Sequence, residues 1–220
     1  ESRIRSMSEG LTPKVISILR VMHPQFQRWF YTRELSKLAD VSTWVVSREF
    51  SGLVKQKMIK ERQEGREKYY ALDLSNSKTR ALCQLFESER RETLFKDNRR
   101  LAWALEEISK RVLDFLPQVQ CLVLFGSAAR GEMTKTSDVD ILTLVPNLTQ
   151  ESFDQLMKDV DKLARDVTAI YPVNLAPMTM TLRDFEVALR EKKRIAKDVL
   201  RDGIILLGED RYFRLLSKVI

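Results

Sequence analysis

A small-residue turn and two closely spaced aspartates stand between two apolar runs of the chain. Gly126 and Ser127 follow the run Cys121–Phe125, and Asp138 and Asp140 open the second run. Because side chains alternate along a strand, we expect the two carboxylates to point to the same side. Two like charges this close are costly unless a cation lies between them, and oxygen ligands suit a hard ion such as Mg²⁺. Since a glycine-serine turn can also cradle phosphate, the pattern indicates phosphoryl or nucleotidyl transfer.

The spacing of these residues resembles a known family signature. Gly-Ser, ten intervening residues and Asp-x-Asp resemble the DNA polymerase beta-like nucleotidyltransferase superfamily, in its minimal branch. The resemblance implies a small mixed sheet flanked by helices. It also implies transfer of a nucleoside monophosphate from an NTP, dependent on Mg²⁺ or Mn²⁺. By position, Gly126 and Ser127 would bind the nucleotide, Asp138 and Asp140 would be catalytic and ligate the metal, and Arg130 would assist phosphates or stabilise the loop.

The family places a third carboxylate on the strand after the next helix, and this chain departs from that pattern. The sequence there reads Val173-Asn174-Leu175. An amide is neutral and cannot serve as a carboxylate base. We therefore expect catalysis to be weakened or lost, while binding of nucleotide or of a single metal ion survives. Asp166 and Asp184 are the nearby acids, but each is predicted at a helix end, so neither replaces the missing carboxylate.

The first 80 residues carry the whole formal net charge of +7, whereas the rest of the chain is balanced. A basic segment beside a neutral one favours two domains, the first of which meets a polyanion such as duplex DNA; a solvated basic face is the alternative. Residues 11–75 read as helix, short helix, tight turn, helix and a hairpin around Gly65. This order resembles the winged helix-turn-helix of transcription regulators.

In that family the second helix of the motif enters the major groove, and the wing contacts the DNA backbone or minor groove. The resemblance assigns candidate DNA-binding residues to the helix and the hairpin: Ser42, Thr43, Trp44, Ser47, Arg48, Arg62, Arg66 and Lys68. The three hairpin residues would form a basic wing with a salt-sensitive role. Winged helices also serve in protein interaction or dimerisation, and packing of Trp44 in such an interface is the alternative.

Helical periodicity predicts several buried positions. Thr32 is expected to cap a short helix that buries Leu35 and Leu38. Residues 78–116 contain no Gly or Pro and read as helix, with two apolar sets: Leu82, Leu85 and Phe86, then Leu101, Leu105, Ile108, Val112 and Phe115. A long helix at this place favours a homodimer, and a rigid spacer is the other interpretation.

We therefore predict an α+β chain of two domains. A winged helix-turn-helix is expected over residues 1–76, a linker helix over 77–96, and a nucleotidyltransferase-like mixed sheet flanked by helices over 97–220. No apolar run is long enough to span a membrane. Cys83 and Cys121 are expected to be buried reduced thiols, which favours a cytoplasmic location.

Two functions remain open at this point. The first is a DNA-binding regulator of transcription whose second domain binds nucleotide and Mg²⁺ with little or no transferase activity. The second is an active Mg²⁺-dependent transferase that modifies a protein, an RNA or a small molecule.

Overall fold

The computed structural model describes residues 11–134 and 136–219. These residues divide into two compact units, and the division falls between Phe86 and Glu87, inside a long helix. The predicted first domain begins at residue 1, so its first ten residues lie outside the described part.

The first unit combines helices with a small antiparallel sheet. Its elements are α1 (Pro13–Met22), a 3-10 turn (His23–Gln25), β1 (Phe30–Tyr31), α2 (Thr32–Leu38), α3 (Thr43–Lys55), β2 (Ile59–Glu64), β3 (Glu67–Leu72) and the first part of α4 (Ser77–Asp97). The strand order is β1-β3-β2, and β2 and β3 form a hairpin whose turn contains Gly65 at a φ of 61°. The predicted hairpin is therefore confirmed.

Two predictions about the short helix α2 are wrong. Thr32 does not cap it: Thr32 is its first residue, and the hydroxyl donates to the carbonyl oxygen of Lys68 at 3.3 Å. Leu38 is 51% exposed, whereas Leu35 is fully buried. The helix has only seven residues and ends at Leu38, so its last side chain lies beyond the turn that packs on the core.

The second unit is a mixed sheet flanked by helices, as predicted. Its elements after α4 are α5 (Arg99–Phe115), β4 (Cys121–Phe125), α6 (Gly126–Ala129), β5 (Val139–Val145), α7 (Gln150–Ile170), β6 (Leu175–Thr181), α8 (Leu182–Arg190), α9 (Arg194–Asp202), β7 (Ile204–Leu207) and α10 (Glu209–Leu216). The strand order is β6-β5-β4-β7; β5 and β6 are parallel, and the other pairs are antiparallel.

The predicted apolar stripe of α5 is buried in the core of this unit up to Val112. Phe115 does not continue it and is 67% exposed, because the next inward position four residues after Val112 is the buried Leu116. Leu85 in α4 is likewise exposed, because the buried face of that helix runs through Cys83 and Phe86.

Both cysteines are buried and free, as the sequence predicts. Burial raises the pKa of the Cys121 thiol to about 12, so this side chain stays protonated and unreactive at neutral pH. Within the described ranges, the helices are all too short or too polar to cross a lipid bilayer.

Candidate nucleotide and metal site

The parallel pairing of β5 and β6 brings the starts of these two strands together. Val139 pairs with Leu175, so the residues that precede them, Asp138 and Asn174, lie side by side. The Val139 amide donates to the carbonyl oxygen of Asn174 at 2.8 Å. The side-chain Nδ2 of Asn174 donates to Oδ1 of Asp138 at 2.5 Å. Asn174 therefore contacts Asp138 at the edge of the sheet where the two strands begin.

Gly126 and Asp140 are held against each other by the antiparallel pairing of β4 and β5. Phe125 pairs with Asp140, and Gly126 follows with a φ of 74°, a conformation that favours glycine. A Cβ atom at Gly126 would lie 2.4 Å from Oδ2 of Asp140. Glycine is required here because the carboxylate lies directly against the turn that starts α6.

Burial, and then the negative charge of Asp138, raise the pKa of Asp140 above its ordinary value. A cation bound between the two carboxylates would counteract this shift. The carboxylates of Asp138 and Asp140 are hard oxygen donors of the kind that Mg²⁺ and Mn²⁺ prefer. Among the described residues, no cluster of three His, Cys, Asp or Glu side chains could hold a metal ion. Because two carboxylates offset the charge of one divalent ion, the pair suits a single ion.

Replacing Asp140 by Asn should stabilise the metal-free protein at neutral pH and lower its Mn²⁺ affinity at least tenfold. The pKa of Asp140 in the folded protein lies above the ordinary value of 3.8. The wild-type protein therefore keeps its full stability below pH 3.8 and loses part of it as the pH rises through the raised pKa. The asparagine does not titrate, so the variant is more stable than wild type only at the higher pH. The difference in the free energy of unfolding should be on the order of 0.5 kcal/mol, because water screens part of the charge.

Chemical denaturation in EDTA at about pH 3 and pH 7 measures this difference. Asp166→Asn, at an exposed position of α7, is the matched control and should change neither stability nor metal affinity. A D140N protein that is less stable than wild type at neutral pH would contradict the electrostatic argument.

Arg130 braces the loop after α6 against the end of α9. Its Nη1 donates to Oδ2 of Asp202 at 2.6 Å, and its Nε donates to Glu132 at 2.7 Å. The Asp202 carboxylate is almost fully buried, and hydrogen bonds from Arg201 and then Arg130 lower its pKa. Of the two predicted roles of Arg130, these contacts favour loop stabilisation. Sequence reasoning missed Asp202 because 72 residues separate it from Arg130.

A cleft of about 630 Å³ opens beside Asp138 and Asn174. Arg100, from the first turn of α5, lines it together with side chains of the loop before β5, namely Thr134, Thr136 and Ser137. The Ser137 hydroxyl accepts from the Thr134 amide at 3.0 Å, so it supports the turn. The cleft thus offers one guanidinium, several hydroxyls and the Asp138 carboxylate as partners for a polar ligand. Arg100 was not predicted from the sequence, because its helix precedes the motif.

The aspartate pair, the glycine turn and their sheet lie inside a segment that matches a known family. Residues 105–205 match the family model described as "Nucleotidyltransferase domain". A relative from Methanocaldococcus jannaschii, named "Putative protein adenylyltransferase", is 28% identical over 97 residues. The match covers 42% of this chain and 61% of the relative, so the chain spans about three fifths of the relative's length.

Solved structures show weaker likenesses. A toxin-antitoxin structure with AMP-PNP is 23% identical with a TM-score of 0.35, over 52% of this chain and 83% of that chain. The Adhesin competence repressor from Streptococcus pyogenes is 23% identical with a TM-score of 0.32, over 51% of this chain and 84% of that chain. At these TM-scores neither likeness carries information about function.

Outside the nucleotidyltransferase domain, the predicted DNA-binding residues of α3 share one solvent-exposed side. Ser42 caps the helix by accepting from the Val45 amide at 3.3 Å. Thr43, Trp44, Ser47 and Arg48 are all exposed, and Trp44 is 63% exposed. The Arg48 guanidinium lies 4.4 Å from the centre of the Trp44 ring and also pairs with Glu49.

The hairpin of the first unit carries the other three candidates, but its charges are mixed. Lys68 pairs with Glu61 at 3.1 Å, and Arg62 pairs with Glu64 at 3.2 Å. Arg66 lies in the turn itself. Acidic side chains therefore stand beside the basic ones of the predicted wing, and two of its three basic residues form ion pairs.

Proposed function

We propose that the nucleotidyltransferase domain binds a nucleoside triphosphate with one divalent ion and transfers the nucleotide poorly or not at all, in a protein whose first unit binds duplex DNA. The observation that carries the first part is the hydrogen bond from Nδ2 of Asn174 to Asp138. A third carboxylate at this place would help to hold a second metal ion or act as a base. A neutral amide does neither well.

Each residue of the site would have a separate role in binding. Asp138 and Asp140 would hold the ion, with the amide oxygen of Asn174 as a further donor once the side chain turns. When bound, the ion would neutralise charge on the triphosphate. The absence of a side chain at Gly126 leaves backbone N–H groups accessible to phosphate, and the Ser127 hydroxyl can donate to it. Arg130 keeps this turn in shape through its contact with Asp202.

Calorimetry with ATP, CTP, GTP and UTP in the presence of Mn²⁺ tests binding, and labelled nucleotides with candidate acceptors test transfer. We expect Mn²⁺-dependent binding of at least one nucleotide with little or no transfer. Rapid transfer by the wild-type protein would overturn this assignment, as would the absence of binding by all four nucleotides.

An active transferase is the second candidate, and the tight packing of Gly126 on Asp140 favours it, because this part of the site is intact. The name of the Methanocaldococcus jannaschii relative suggests AMP as the transferred group and a protein as acceptor. The acceptor could equally be an RNA or a small molecule. In this case label from an NTP should reach an acceptor in cell extract, and Asp138→Asn should abolish it.

DNA binding by the first unit is supported by the order of its elements. A helix, a short strand, two helices joined by a tight turn, and a hairpin, with strands in the order β1-β3-β2, are similar to the arrangement of a winged helix. In that arrangement α3 is the helix that enters the major groove. Its exposed side presents two hydroxyls, an aromatic ring and a guanidinium, which are groups that contact bases and phosphates.

Arg48→Ala should weaken binding to duplex DNA about tenfold, since one arginine contact is worth about 1–3 kcal/mol. Because Arg48 also lies over Trp44, the loss includes the packing that orients both side chains. Fluorescence anisotropy at several salt concentrations measures the affinity. If Arg48 contacts a phosphate, the slope of log affinity against log salt concentration should become smaller by about one in the variant. Arg194→Ala, at an almost fully exposed position of α9, is the control. Equal losses in both variants would contradict a specific role for α3.

A further inference from the structure

We infer that the outer face of α5 is an interface between two copies of this chain, joined antiparallel about a two-fold axis. Trp103, Glu106, Lys110 and Leu113 follow one another at helical spacing and therefore share one side of the helix, which we call the outer face. All four are exposed, with Trp103 at 52% and Leu113 at 59%. The opposite side of the same helix is buried in the core of its unit.

The order of residues on the outer face is self-complementary. In a two-fold interface, each residue faces the one that lies equally far on the other side of the axis. With the axis at the level of Ile108, Trp103 meets Leu113 of the partner subunit, and Glu106 meets Lys110 of the partner subunit. Apolar side chains then contact apolar side chains, and opposite charges contact each other. The two-fold axis generates each of these contacts twice. A parallel pairing of the same face would instead place like charges opposite each other.

The shape of the surface agrees with this pairing. A concavity of about 640 Å³, lined in part by Phe95, Ala102 and Trp103, lies at one end of the outer face. Leu113 stands at the other end, so the two-fold axis brings the partner's Leu113 to the level of the concavity. The charges are available for contact across the interface. Glu107 and Arg111 form an ion pair along this helix. Glu106 and Lys110 form no ion pair with any described residue.

A second copy fits this surface better than an unrelated partner, because the helix itself supplies both the apolar groups and the opposite charges in matching order. One helix face is smaller than the roughly 800 Å² per partner of a stable interface. We therefore expect a dimer that dissociates on dilution. The inference does not depend on the proposed nucleotide or DNA binding.

Sedimentation equilibrium of the full chain, over about 1–100 μM, tests the interface by charge reversal. Glu106→Lys and Lys110→Glu each place like charges opposite each other, so each should raise the dimer dissociation constant at least about tenfold. The double variant E106K/K110E restores opposite charges and should return to within about threefold of wild type. Asp166→Lys, the same kind of change at an exposed position of α7, should leave the constant unchanged.

Three outcomes would overturn the inference. The wild-type chain could be monomeric throughout, which would leave the face to another partner. The single variants could dimerise like wild type, which would place a dimer elsewhere. The double variant could fail to recover, which would exclude the antiparallel pairing of Glu106 with Lys110.

Discussion

Asn174→Asp should raise nucleotidyl transfer at least about a hundredfold over the wild-type protein, the scale of a positioned acid-base group. The new carboxylate would take the place of the amide that donates to Asp138 and would face the same cleft. Three carboxylates attract divalent ions more strongly than two, so Mn²⁺ affinity should rise as well. Single-turnover transfer with labelled NTP and Mn²⁺ titration by calorimetry measure the two effects.

The same substitution should destabilise the metal-free protein by about 0.5–1 kcal/mol, because an exposed hydrogen bond is replaced by a third like charge that water screens. Added Mn²⁺ should return the lost stability. Asn174→Ala is the matched control: it removes the hydrogen bond without adding a carboxylate, so transfer should not rise. If N174D binds Mn²⁺ but transfers no faster than wild type, then a group other than Asn174 limits catalysis.

Gly126→Ala should lower the affinity for Mn²⁺ and for nucleotide at least tenfold. The added Cβ would lie 2.4 Å from Oδ2 of Asp140, and the short aspartate side chain is the group that can turn away. Metal affinity should then decrease more than stability, because the Asp140 carboxylate moves away from the metal site while the sheet stays intact. The positive φ of Gly126 adds a cost of about 1–2 kcal/mol in stability for any residue with a Cβ atom.

Gly131→Ala separates these two contributions. Gly131 has a φ of 72°, close to that of Gly126, but a Cβ there would meet no atom within 4 Å. Both variants should therefore lose similar stability in thermal denaturation, while G126A alone loses Mn²⁺ binding. Equal metal affinity in the two variants would show that the contact with Asp140 does not position the carboxylate.

The elements around the site were predictable wherever the signal is local. The alternation of Asp138 and Asp140 and the apolar strands beside them depend on residues within one strand and turn. The extent of the buried helix faces was less predictable: Leu38, Leu85 and Phe115 match helical spacing, yet all three are more than half exposed. Periodicity marks a face of a helix, but packing decides where along the helix that face stops being covered.

The sequence by itself determined which residues make up the candidate site: the glycine turn, the aspartate pair and the asparagine that stands where the resemblance leads us to expect a third carboxylate. Only the tertiary structure decided which groups meet. Asn174 contacts Asp138 across 36 residues, and Asp202 reaches Arg130 across 72. The physical reason is that strand register and helix packing bring distant residues together, whereas spacing along the chain reports only on neighbours within one element.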